Sequence, residues 1–206
     1  TFHLSSRWKY QLGCEMPART NSVSFQNIPT GMYNSMISPL RNLVFTGALW
    51  YQGETNTGRP NEYEELLTAM IADWREKLAD KELPFFIVQL ANFMQTHPHP
   101  VESNWAALRE AQTKALKLDQ VGMAVTIDIG LADDIHPKNK QEVGRRLALV
   151  ALAGSYGKNV SSSAPVFQNY IIKGNKMELD FGQKQDGFQI KGTTLKGFTI
   201  AGPDRV

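Results

Sequence analysis

Cysteine occurs once in the 206 residues, as Cys14, so no disulfide can form within the chain and bridges say nothing about its redox compartment. A lone thiol can be a nucleophile, but Gly13-Cys14-Glu15 offers neither a nearby histidine nor a strand-to-helix turn to activate it. Histidine is almost as scarce, with four copies. No apolar run approaches the roughly 18 residues needed to span a bilayer. A formal net charge of +2 gives no single-sign excess with which to hold nucleic acid or an acidic membrane surface. Low-complexity tracts and solenoid-length repeats are also missing. Thr1 opens the chain without an initiator methionine or signal peptide, which reads as a mature or truncated start, and the stop after Gly202-Pro203-Asp204 is equally abrupt. What is present is a globular composition, 42% hydrophobic and 20% charged, on a chain long enough to bury a core.

Periodicity divides the chain into three parts. Residues 1–40 are rich in Ser, Asn, Thr and Pro without a sustained period, and read as a connector or the tail of another module. Residues 41–159 alternate short apolar runs with amphipathic stretches. Leu43 to Tyr51 predicts a strand covered on both faces. Asn61 to Ala79 predicts a helix, with Tyr63, Leu66, Leu67, Met70, Ile71, Trp74 and Leu78 at three- and four-residue intervals. Phe85-Phe86-Ile87-Val88 is the core of a second strand, Trp105 to Leu118 a second helix and Gly122 to Ile129 a third strand. A helix from about Pro137 to Gly154 follows, with proline at its first position. This order predicts an α/β fold, a three-layer parallel sheet with right-handed crossovers. Function is then expected at the carboxyl ends of the strands. Residues 160–206 turn all-β, with a hairpin around Lys173-Gly174-Asn175-Lys176 and short strands in Phe188 to Thr199, as in an incomplete β-rich accessory domain.

Two polar loops fall at those carboxyl ends. In Asp133-Asp134-Ile135-His136-Pro137 an aspartate three residues before a histidine can fold back and accept a hydrogen bond from one ring nitrogen, leaving the other as a base. Helix-capping aspartates beside a solvated histidine would give the same text. In Trp50-Tyr51-Gln52-Gly53-Glu54-Thr55-Asn56 the Asn56 amide can donate to a developing oxyanion, and Gly53 allows close backbone approach. An ordinary turn explains these residues equally well when they are taken alone. Gln52 and Glu54 are placed to touch substrate hydroxyls or to brace the loop. His97 and His99, spaced by rigid prolines without a third ligand nearby, read as surface residues rather than a metal pair. His3 reads as solvated.

Together and in this order, the loops resemble the SGNH (GDSL-like) hydrolases, whose Gly-x-x-Asn and Asp-x-x-His blocks match Gly53 to Asn56 and Asp133 to His136. The wider text, with Val88-Gln89-Leu90-Ala91-Asn92-Phe93, Leu108-Arg109-Glu110-Ala111-Gln112 and Asp134-Ile135-His136-Pro137-Lys138-Asn139, is similar to the sialate O-acetylesterase branch of that superfamily. The resemblance implies a flavodoxin-like SGNH domain, here partial. It also implies hydrolysis of acetyl esters on sugars, sialic acid first, by a Ser-His-Asp mechanism without metal or cofactor. His136 and Asp133 would be catalytic, with Asn56 and Gly53 forming the oxyanion hole. The family's Gly-x-Ser-Asn block is not found before Trp50, and Ser35 in Tyr33-Asn34-Ser35-Met36 has no strand to deliver it to the sheet edge. The nucleophile is therefore expected on an upstream segment of the same protein, and the isolated fragment is expected to be inactive. An exported (periplasmic or secreted) or lysosomal setting follows from the resemblance. Acetyl xylan or another polysaccharide ester is the competing substrate, and a non-catalytic carbohydrate-binding protein is the competing class.

Overall fold

The computed structural model describes residues 13, 24, 27–162, 164–182, 192–193 and 197–202. Cys14, His3 and much of the stretch 188–199 lie outside the described residues. The chain divides into two compact units, Thr1–Asn42 and Leu43–Val206. In the first, Tyr33–Ile37 form one π-helical turn, followed by a 3-10 turn at Ser38–Leu40 with Pro39 near its start. Within that turn the Ser35 hydroxyl donates to Gly31 O at 2.8 Å, so its proton is taken up by its own helix.

The second unit is built on a parallel three-stranded sheet of β1 (Ala48–Trp50), β2 (Phe85–Val88) and β3 (Val121–Ala124), in the order β1-β2-β3. Helix α1 (Pro60–Lys77) joins β1 to β2, and α2 (Asn104–Lys114) joins β2 to β3. Central β2 decides the layering, because all four of its residues are apolar and buried. Phe85 and Ile87 enter a core with Tyr63, Leu67 and Ile71 of α1 and with Trp105, Leu108 and Ala111 of α2. Phe86 points the other way, into a smaller core with Ala124 and with Leu147, Val150 and Ala151 of α3 (Lys140–Gly154). Alternate side chains of one strand thus reach opposite faces, and three layers result: α1 with α2, the sheet, and α3.

Helix ends follow local chemistry. Ser103 caps α2 through its hydroxyl, which accepts from the Ala106 amide, and Arg75 and Lys77 sit in the last turn of α1, where cations favour the helix dipole. The start of α3 corrects the expected one. Asn139 is its cap, with its side chain accepting from Glu142 N, so Pro137 lies in the preceding loop rather than at the first helical position. An asparagine side chain satisfies an amide that proline cannot.

The first strand also differs from its expectation. Only Ala48–Trp50 pair, and Leu49 is 65% and Val44 100% exposed. The reason is position: β1 is an edge strand, and α3 covers Phe86 but not its register partner Leu49. Leu66 of the α1 stripe is likewise exposed. Further along, β4 (Asn169–Lys173) and β5 (Lys176–Asp180) form the expected antiparallel hairpin, with every residue exposed. Among the described residues no helix is long and apolar enough to cross a membrane.

Candidate active site

Because the three strands run parallel, their carboxyl ends share one edge, and three loops leave it. The ends of β1 and β3 flank that of β2, so they stand about 10 Å apart, two strand spacings.

The loop after β1 is held from within. Gln112 of α2 is fully buried, and its Oε1 accepts from Leu90 N at 2.9 Å. Its Nε2 donates to Gln52 O at 3.2 Å and Val88 O at 3.4 Å, so one amide straps the end of β1 to the end of β2. The Tyr63 hydroxyl lies 2.8 Å from Gln52 O and 3.1 Å from Gln52 Oε1, and burial pushes that phenol's pKa up. Gln52 Nε2 in turn donates to Asn56 Oδ1 at 2.7 Å. With Oδ1 engaged, the end of the Asn56 amide left to act outward is its NH2 donor.

Gly53 is required by this packing. Its φ of +151° is one that side chains rarely adopt, and an added Cβ would stand 2.8 Å from Leu108 Cδ2 and 3.3 Å from Gln112 Nε2. What comes close to this glycine is therefore α2. Gln52, expected to touch substrate or brace the loop, has both ends of its amide bound inside the chain and braces. Glu54 begins the 3-10 turn Glu54–Gly58 and is half-buried.

The loop after β3 is anchored at its root. Arg146 donates to Val125 O at 2.7 Å, to both carboxylate oxygens of Asp128 and to Glu142 Oε1. Hydrogen bonds from Arg145 and Arg146 hold the Glu142 carboxyl down at about 2, and Arg146 likewise keeps Asp128 below its ordinary value. Further on, Asn92 Oδ1 accepts from Gly130 N at 2.7 Å, and Met94 N donates to Ala132 O. A Cβ on Gly130 would stand 2.1 Å from Asn92 O, so only glycine permits this approach.

The tip of the same loop is open. The His136 side chain is 87% exposed, with Nδ1 3.6 Å from Asp134 Oδ1, beyond hydrogen-bond range. That same Oδ1 accepts from His136 N at 2.9 Å. The carboxylate nearest the ring is thus that of Asp134, where Asp133 was the expected partner. Among the described residues Asp133 makes no hydrogen bond or ion pair, and it is exposed. A two-residue Asx-type turn has used the local geometry that the three-residue return required.

The start of α3, which the second loop leads into, reaches the first loop. Lys140 Nζ, four residues after His136, lies 4.8 Å over the ring of Tyr51, a cation–π contact. Ile135 packs against the same apolar core as Tyr51 and Phe93. Burial, with the Glu54 charge second, raises the Tyr51 phenol. His97 and His99 are exposed, and among the described residues no group of three or more His, Cys, Asp or Glu could hold a metal ion.

Sequence reasoning missed Gln112, Asn92 and Arg146 as the groups that position the loops. Gln112 had a signal, a polar side chain in phase with Trp105 and Leu108 on the apolar face of α2. Asn92 and Arg146 act across distant parts of the chain, and no local pattern marks them.

Three comparisons bear on this edge. The family model described as carbohydrate esterase, sialic acid-specific acetylesterase, matches residues 17–153. Sialate O-acetylesterases of Mus musculus and Homo sapiens are 33% and 32% identical over 82% of this chain, which corresponds to 34% and 36% of those proteins. A crystal structure described as a novel carbohydrate acetylesterase from Xanthomonas citri is 48% identical with a TM-score of 0.66, covering 72% of this chain and 35% of that one. The chain therefore spans about a third of the length of the relatives it matches. The α/β sheet, the two loops at its carboxyl edge and the match over 17–153 lead to one conclusion: this chain belongs to the sialic acid-specific acetylesterase family of carbohydrate esterases.

Proposed function

We propose that this chain supplies the oxyanion donor and the acid/base group of a serine-dependent carbohydrate O-acetylesterase. The single observation carrying the reading is the Gln52–Asn56 hydrogen bond of 2.7 Å, which leaves the Asn56 NH2 as an outward donor at the strand ends where parallel sheets bind ligands. In this reading the nucleophilic serine comes from an upstream segment of the same protein. The exposed apolar side chains of Leu49 on the edge strand and of Val44 in the segment before it support it, since such a surface suits cover by another part of the domain.

The reaction follows. The serine oxygen attacks the acetyl carbonyl while His136 takes its proton, and the carbonyl oxygen becomes an oxyanion that Asn56 Nδ2 stabilises. Collapse breaks the ester bond, and His136 returns the proton to the departing sugar oxygen. Water, deprotonated by His136, then attacks the acyl carbon, the bond to the serine oxygen breaks, acetate leaves and His136 returns the proton to the serine. Asp133 holds the imidazole tautomer, and Glu54 contacts a sugar hydroxyl.

Acetylated sialic acid is the substrate class that the matched family's description names. Acetyl xylan or another polysaccharide ester is the second reading, since the 48% identical protein of Xanthomonas citri is described as a carbohydrate acetylesterase without sialic acid being named. Acetate release by the full-length protein from each substrate decides between them. On the preferred substrate His136→Ala is expected to lower kcat by roughly 10⁴-fold or more. Turnover within a few-fold of wild type in that variant would remove His136 from the mechanism, and no turnover by the wild type on either ester would favour a binding protein.

A further inference from the structure

The oxyanion reading leaves open what fixes the orientation of Asn56. An asparagine amide presents a donor at one end and an acceptor at the other, and a half-turn about its last bond exchanges them. Only the donor stabilises an oxyanion, so some neighbour must break that symmetry.

We infer that Gln52 is a positioning residue that orients the Asn56 amide, itself oriented by Tyr63 and Gln112. The inference rests on the proposed oxyanion role of Asn56. Gln112 Nε2 donates to Gln52 O at 3.2 Å, and the Tyr63 hydroxyl, 2.8 Å from Gln52 O and 3.1 Å from Gln52 Oε1, shares its one proton between those two acceptors. Oε1 then faces Tyr63, and Nε2 must face Asn56, where it donates to Oδ1 at 2.7 Å. Gln112 is pinned by the Leu90 amide on its Oε1 and, being fully buried, cannot turn without leaving a polar group unpaired. Gln112 thus fixes the main chain at Gln52, Tyr63 faces the Gln52 Oε1, and the Gln52 Nε2 sets the donor that Asn56 presents. Gly53 lets the Gln112 amide come this close.

Gln52→Glu keeps the shape of the side chain but offers acceptors only. Asn56 would turn its NH2 toward residue 52 and present Oδ1 to the oxyanion. In the full-length protein, with an acetyl ester that the wild type turns over, kcat is expected to fall about 10²-fold with KM within a few-fold of wild type, close to the effect of Asn56→Ala. The double variant is expected to be no slower than Asn56→Ala alone, because both changes act through one donor. Losses that multiply, or wild-type kcat in Gln52→Glu beside a slow Asn56→Ala, would overturn the positioning role and leave the oxyanion role standing. Wild-type kcat in Asn56→Ala would instead remove the oxyanion role and this inference with it. Should Gln52→Glu fail to fold, Gln52→Met is read through the same cycle, with about a 10-fold loss expected since Asn56 is then free to adopt either orientation.

Discussion

The loops after β1 and β3 leave the same sheet edge but are held in opposite ways. Gln52 to Asn56 is braced along its length by Tyr63 and by buried Gln112. The loop bearing His136 is hydrogen-bonded at its root, to Arg146 and Asn92, and Ile135 packs on the core, while the His136 side chain itself stands in solvent. The difference teaches that an oxyanion donor must be preorganised, since it gains from cost-free placement at the moment charge develops. The proposed acid/base role of His136 also needs orientation, and among the described residues the carboxylate beside its ring is that of Asp134, at 3.6 Å, rather than that of the proposed partner Asp133.

The sharpest way to break this comparison is at the tip. If Asp133 orients the imidazole once the site is complete, Asp133→Asn lowers kcat on the order of 10⁴-fold, and Asp134→Asn costs far less, since its carboxylate serves the His136 amide. Steady-state kinetics of the two variants decide it, and the reverse ranking would transfer the role to Asp134.

A change at the root is expected to be smaller. Gly130→Ala forces its methyl against Asn92 O, which should displace the His136 loop and destabilise the fold by roughly 1–3 kcal/mol, the usual cost of overpacking. Denaturant unfolding gives the stability, and a fall in kcat beyond what Tm explains would report the displaced histidine. Unchanged stability and rate would show that the root does not control the tip.

The smallest effect is on pH dependence. The Glu142 carboxyl ionises more readily folded than unfolded, at about 2 against an ordinary 4.5, through Arg145 first and Arg146 second. Its contribution is complete above pH 4.5 and is lost as pH falls toward 2. Tm measured across that window should drop less steeply in Arg146→Met than in wild type; equal slopes would contradict the coupling.

Much of the fold was legible in the residues. The α1 stripe through Tyr63, Leu67 and Ile71, the four buried residues of β2 and the turn at Gly174-Asn175 each carry a local period or turn signal, and the structure repeats them. The short β1 was not legible, because Leu43 to Tyr51 reads the same whether or not a helix covers Leu49. The start of α3 went to Asn139 over Pro137, two local signals that only packing could rank. The brace of the first loop depends on residues 60 positions apart, Gln52 and Gln112, and sequence spacing holds no record of such a contact.

The central claim is that the Asn56 amide and the His136 imidazole face one reacting centre. A crystal structure of the full-length protein carrying a phosphonate analogue of the acetyl-transfer intermediate tests it directly. The account predicts the phosphonyl oxygen about 2.7–3.1 Å from Asn56 Nδ2, with the leaving-group oxygen in hydrogen-bond reach of His136. A phosphonyl oxygen bound by other donors, with either side chain turned away from the phosphorus, would contradict it.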